Sequence, residues 1–183
     1  IEKYFDGISM MSEMLANDSA AIIDKYLTET GIHISALNDS QLYTEGVQEV
    51  LFPKLKEELL KADASGAFIM LNATVNTGKP NSDKSKTGLY FQRSTLDRTD
   101  ETLLMYRGNS DLGRKNGIMP HRKWRLEFNS ESVTEIKDIF GKSVKDKRPL
   151  LSDVYALDGT SDNAMAYITP LYGADNTFYG ICG

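Results

Sequence analysis

Arg122, Trp124 and Arg125 fall within four consecutive residues and form the densest concentration of recognition chemistry in the chain. An arginine grips a carboxylate through two parallel N–H donors, while a tryptophan walls a pocket with apolar surface and offers one indole donor. Together they suit a small zwitterion or carboxylic acid. The plainer alternative is that Trp124 caps the core and both arginines face water. Tyr106 beside Arg107, and Tyr155 ahead of Asp158, pair a phenol ring with a charge in the same way. Asp158 offers a partner to an ammonium group, although Asp158-Gly159 is equally a common turn. An acidic and aromatic wall opposite an arginine would make a complete receptor for an amino acid or a related metabolite.

Catalytic chemistry leaves no comparable trace. The two histidines, His33 and His121, belong to no spaced ligand set. Cys182 is the single cysteine, so neither an internal disulfide nor a cysteine-based zinc site can form. There is no nucleophile elbow and no dinucleotide fingerprint; Thr77-Gly78-Lys79-Pro80 lacks the other positions of a phosphate-cradling loop. The 26 acidic residues allow many chance carboxylate pairs and single out none. The expectation is a protein that is not an enzyme and carries no metal or cofactor. A surface-associated enzyme would need converging acids or a bound metal that nothing here announces. The net charge of -5, with both signs interspersed, argues against a nucleic-acid partner, which clustered positive charge would attract. The short basic run Arg122, Lys123, Arg125 is interrupted by Trp124.

The elements that must position these residues follow from periodicity. With 183 residues the chain is long enough for one substantial core. Ile1, Phe5, Ile8, Met11, Leu15, Ile22 and Tyr26 recur at helical spacing, and Gly31 supplies a stop. Asn38, Asp39 and Ser40 suit a cap for further helix through Val47, Leu51, Leu55 and Leu59. Pro53 predicts two helices there, or a kink. At Gly66 the period changes to that of strands, expected at 67–73, 89–93, 103–107, 154–157, 164–172 and 178–183. Residues 108–121 are expected to hold at most a short helix before an irregular connection. Ser132 and Glu135 read as a capping box for a short helix bearing Val133, Ile136 and Phe140. The expected class is α+β: a central antiparallel sheet of five to six strands under a long N-terminal helix. One domain over 1–183 would comprise a helical part, 1–62, and a sheet part, 64–183.

This order of elements resembles the extracellular Cache domains, PAS-like sensor modules of bacterial chemoreceptors, sensor kinases and diguanylate cyclases. Residues 66–74 and 88–93 are similar to the first two strands of that sheet, and 167–183, with Pro170, Asp175, Gly180 and Gly183, to its closing hairpin. Amino-acid-binding members carry an Arg, any residue, Trp, Tyr segment, with a tyrosine before it and an aspartate well after. Arg122 and Trp124 fit the first and third positions; Arg125 replaces the tyrosine, and Gly117 stands where the earlier one would be. The late aspartate corresponds to Asp158, or to Asp153 across a shorter loop.

The resemblance implies a ligand-binding domain on the outer side of the bacterial membrane, serving signal transduction. Its ligand would be an amino acid or small carboxylate, held by Arg122, Trp124, Tyr106, Tyr155 and Asp158. The pocket would be enclosed over the sheet and lined from within 108–158. Flanking transmembrane helices would lie beyond both ends, since no run of 18 apolar residues occurs within the sequence. Residues 1–28 would form a weak homodimer in the intact receptor, its seam interrupted by Asp18 and Ser19. A structural or interaction module of similar fold, its pocket filled by its own side chains, is the alternative.

Overall fold

A computed structural model describes residues 1–95, 97, 99–142, 146–155 and 163–183. The chain opens with α1 (Glu2–Thr30), whose end is set by Gly31 in the left-handed region at φ 68°. Glycine enters that region without the steric cost a Cβ would bring. A 3-10 turn, Ile34–Leu37, leads to α2 (Gln41–Lys61). Ser40 caps α2 by accepting from the Tyr43 amide at 3.1 Å, as the polar cluster predicted.

Pro53 neither ends α2 nor divides it. The proline forfeits one ladder bond, but Leu51, Phe52, Leu55 and Leu59 on either side are each at most 2% exposed. Their burial offsets a cost of roughly 3 kcal/mol. The far end of α2 is closed by an unexpected cap. Arg93 donates to the carbonyls of Leu59, Leu60, Ala62 and Ala64 at 2.8–3.2 Å, satisfying acceptors the helix leaves open.

The sheet part contains β1 (Gly66–Leu71), β2 (Ser85–Lys86), β3 (Gly88–Arg93) and β4 (Leu103–Arg107), followed by α3 (Ser110–Lys115) and β5 (Met119–Arg125). After these come β6 (Phe128–Asn129), α4 (Thr134–Gly141), β7 (Leu150–Leu151), β8 (Tyr167–Tyr172) and β9 (Phe178–Cys182). A seven-stranded sheet runs β5-β4-β3-β1-β9-β8-β7, with β2 and β6 paired separately. The architecture is α+β with a long N-terminal helix and a mostly antiparallel sheet.

Three sequence expectations need correction. The main sheet holds seven strands rather than five or six, and its outer pair, β4 and β5, runs parallel. Strand β5 occupies part of the connection expected to be irregular; Pro120, His121, Arg122 and Lys123 hide it from a search for apolar alternation. The capping box does not form. Val133 precedes α4 without a side-chain cap, while Ser132 donates to the Asn129 carbonyl and Glu135 accepts from the Asp153 amide.

Alternation along the strands distributes side chains to two cores. Ala67, Ile69 and Leu71 of β1 face a cluster shared with Leu15, Ile23, Leu55 and Leu59 of α1 and α2. Phe68 and Met70 face the other way, joining Tyr90, Tyr106 and Ile136. Both faces are covered, which is why β1 reads as an unbroken apolar run. The central strands approach closely at Gly180, where φ is 145° and an added Cβ would meet the Met70 carbonyl oxygen at 2.1 Å.

Candidate functional site

The face of the sheet away from α1 and α2 is aromatic. Tyr90 of β3 stands between Tyr106 of β4, at 5.4 Å between ring centroids, and Phe68 of β1, at 6.3 Å. His121 stacks on Tyr106 at 4.4 Å and 14°. Tyr155 joins the cluster from the segment after β7, where its backbone pairs with Ala164. Burial, reinforced by neighbouring Tyr90, pushes the Tyr155 phenol above its ordinary range. The hydroxyl therefore stays protonated, a neutral group able to donate and accept.

The other residues singled out from sequence are placed differently. Trp124 packs against the cluster beneath the helices, and its indole N–H donates to the Gly108 carbonyl at 2.9 Å. Arg122 and Arg125 are exposed on β5. Tyr106 and Tyr155 thus share one face, while Trp124 contributes to the core on the opposite side. Asp158 lies outside the described residues. Asp153, its alternative, is exposed. Arg107, paired with Tyr106 in the sequence reading, is 2% exposed; its Nη1 donates to the carbonyls of Tyr106 at 2.6 Å and Lys123 at 3.0 Å. That geometry ties β4 to β5 across their irregular register.

A half-enclosed cavity of about 160 Å³ lies where the first turns of α1 cross the start of β1. From α1 it is lined by Tyr4, Phe5, Ile8, Met11 and Leu15. Glu58 and Leu59 border it from α2, and Ala62, Ala64 and Ala67 from the junction into β1. Phe68, Tyr90 and Tyr155 connect it with the aromatic face, and Ala164 and Ala166 close another side. Of the span expected to line a pocket, 108–158, only Leu151 and Tyr155 contribute among the described residues. The wall comes mainly from the helices and from small residues at strand ends.

Sequence reasoning missed this cavity, though a signal existed. Ala62, Ala64, Gly66 and Ala67 cluster where the chain leaves α2, opposite the bulky stripe of α1. Small side chains facing large ones across a layer leave space unless the backbones close up. The cap formed by Arg93 holds the end of α2 and the following turn in place, and the Tyr4 hydroxyl donates to the Asp63 carbonyl at 2.8 Å.

Two of the polar side chains that line the cavity are engaged within the protein. Ser12 and Thr169 share a hydrogen bond of 2.7 Å, and Glu58 lies 3.7 Å from the Lys54 amine. Among the described residues no group of three or more acidic, histidine or cysteine side chains is arranged to hold a metal ion. Cys182 is fully buried, and burial pushes its thiol up, away from the reactive thiolate. Comparison with known protein families, with curated proteins and with solved structures finds no match to this chain.

Proposed function

We propose that this chain is the extracellular ligand-sensing domain of a bacterial transmembrane receptor and has no catalytic role. The observation that carries the reading is the convergence of Tyr106, Tyr90 and Tyr155 on one face of the sheet. Aromatic walls with neutral hydroxyls supply area and orientation to a small polar ligand. The stretches similar to Cache strands support the same reading, because β1 pairs with both β3 and β9 and β9 pairs with β8.

The ligand is an amino acid or small carboxylate, with Arg122 gripping its anionic group and Asp158 its amine. Closure around it makes contacts absent from the empty state, and that differential binding biases the arrangement of helices leading to the output domain. Parallel pairing of α1 in the intact receptor would transmit the bias. Ile8 and Met11 line the cavity, whereas Met10 and Met14 are 61% and 50% exposed. Cysteines replacing Met10 and Met14 should therefore crosslink between subunits in membranes; failure at both positions would remove the helix pair.

Thermal-shift screening against amino acids, short carboxylates, purines and sugars tests the sensory reading. With any hit, Arg122→Ala should weaken binding about ten- to a hundredfold, as expected for loss of a charge-assisted bond. Unchanged affinity takes Arg122 out of the site. The second reading, a structural module without a ligand, is favoured by the contacts of Phe68, Tyr90 and Phe128, which fill much of the face with the protein's own rings. A domain that responds to no compound in the screen would support it.

A further inference from the structure

We propose that the cavity beneath the first turns of α1 binds a compact, uncharged, ring-bearing molecule, and that carboxylates are excluded from it. This inference names an apolar site and stands whether or not the sensory reading holds.

Size comes first. An apolar cavity of about 150 Å³ is known to stay dry and to accept benzene, and the present one measures about 160 Å³. Its opening leaves room for one further small group beyond a ring. Rings and thioethers supply the contacts: Phe5, Met11, Phe68 and Tyr90 present flat or polarizable surface from different sides.

Charge decides the rest. Among the described residues lining the cavity, Glu58 is the only charged side chain. Its carboxylate already has the Lys54 amine at 3.7 Å, and that amine also reaches Asp18 at 3.4 Å and Glu57 at 3.8 Å. A ligand carboxylate would meet the Glu58 carboxylate and no cationic side chain in the lining, the nearby Lys54 amine being already shared among three carboxylates, an arrangement that costs both desolvation and repulsion. An N–H or O–H donor on the ring would instead find an acceptor in Glu58. The cavity therefore prefers a different ligand from the one Arg122 would hold.

Calorimetry with indole and with indole-3-acetate tests this directly. Indole should bind the full chain, and indole-3-acetate should bind at least tenfold more weakly. Ala166→Leu, which places a larger side chain in the wall without touching the core beneath the helices, should weaken indole at least tenfold. Crystals soaked with 5-bromoindole provide a check independent of that variant's folding: the bromine signal should lie between Met11 and Tyr90. No indole binding, equal affinity for the two compounds, or bromine located elsewhere would overturn the proposal. A screening hit weakened by Arg122→Ala but indifferent to Ala166→Leu would preserve the sensory reading while leaving this cavity without a role in it.

Discussion

The two faces of the sheet are covered by unequal means. On one, α1 of 29 residues and α2 of 21 lay aliphatic side chains onto the strands, and Ile23, Leu55 and Leu59 are all at 0% exposure. On the other, an eight-residue helix, α4, and Phe128 of the two-residue strand β6 cover a cluster built around Phe68, Tyr90 and Tyr106. Long helices bury continuous area and resist local opening. A short helix over aromatic rings is expected to open at lower cost. The division sets a helix-clad aliphatic face, with Trp124 against it, opposite a thinly covered aromatic face that holds Tyr106 and Tyr155.

Core truncations provide the harshest test of that division. Phe91 is fully buried beneath the helices, its ring 4.8 Å from that of Phe52. Phe91→Ala should cost about 3–5 kcal/mol, read from urea denaturation. Ile136→Ala in α4 should cost nearer 2 kcal/mol, the low end for such a truncation, because the thin cover can settle into the space. Equal losses would mean that the faces are equally constrained.

Glu127 should give the next largest effect. This buried carboxylate accepts from Thr74 Oγ1 at 2.6 Å, Ser85 Oγ at 2.7 Å, Asn76 Nδ2 at 2.9 Å and the Val75 amide at 3.2 Å. Glu127→Ala leaves those donors to find water, at a cost of about 1–3 kcal/mol. Faster hydrogen exchange at the Val75 amide should accompany the loss. Unchanged exchange there would show that the carboxylate does not hold the segment.

How far the sequence revealed this arrangement depends on which force shaped each element. The apolar stripe of α1 and the run in β1 were legible because burial alone determines them. Strand β5 was not, since a polar edge strand is held by backbone pairing and by Arg107, neither of which leaves a hydrophobic period. Tyr106 and Tyr155 read in the sequence as polar-aromatic groups, and the structure gives them a common face. Trp124 reads the same way and packs on the other side, because facing depends on the irregular register between β4 and β5. The cavity went unseen because its signal, the small residues Ala62, Ala64, Gly66 and Ala67, marks empty space only once the bulky stripe of α1 is known to lie opposite them.

Trp124 provides a smaller, sharper measurement. Trp124→Phe keeps a ring against the helix-side core and removes the N–H that meets the Gly108 carbonyl. A loss of about 1 kcal/mol is expected, the net worth of one hydrogen bond. If the same variant also abolishes the response to a ligand found by screening, Trp124 touches that ligand and recognition is not confined to the aromatic face.

The smallest effect should emerge only in alkali, where each face contributes a tyrosine with a raised pKa. For Tyr155 the leading cause is burial, followed by Tyr90; for Tyr179 it is burial, followed by the hydrogen bond to Asp24. An unfolded tyrosine ionises near pH 10, while these phenols remain protonated in the fold to higher pH. Their stabilising contribution is thus complete below about pH 10 and is lost as pH rises from there toward the folded value. Each such group adds up to about 1.4 kcal/mol per pH unit to the decline over that interval. Tyr155→Phe should remove one such increment from the alkaline slope, with a small loss at pH 7 from its hydrogen bond with Ser152. Tyr179→Phe should flatten the slope too, but with a larger loss at pH 7, because the bond it deletes is to the Asp24 carboxylate on α1. Denaturant titrations between pH 8 and 11 separate the two outcomes. A Tyr155→Phe slope identical to that of the parent would mean that water reaches its hydroxyl, and that the aromatic face is open even without a ligand.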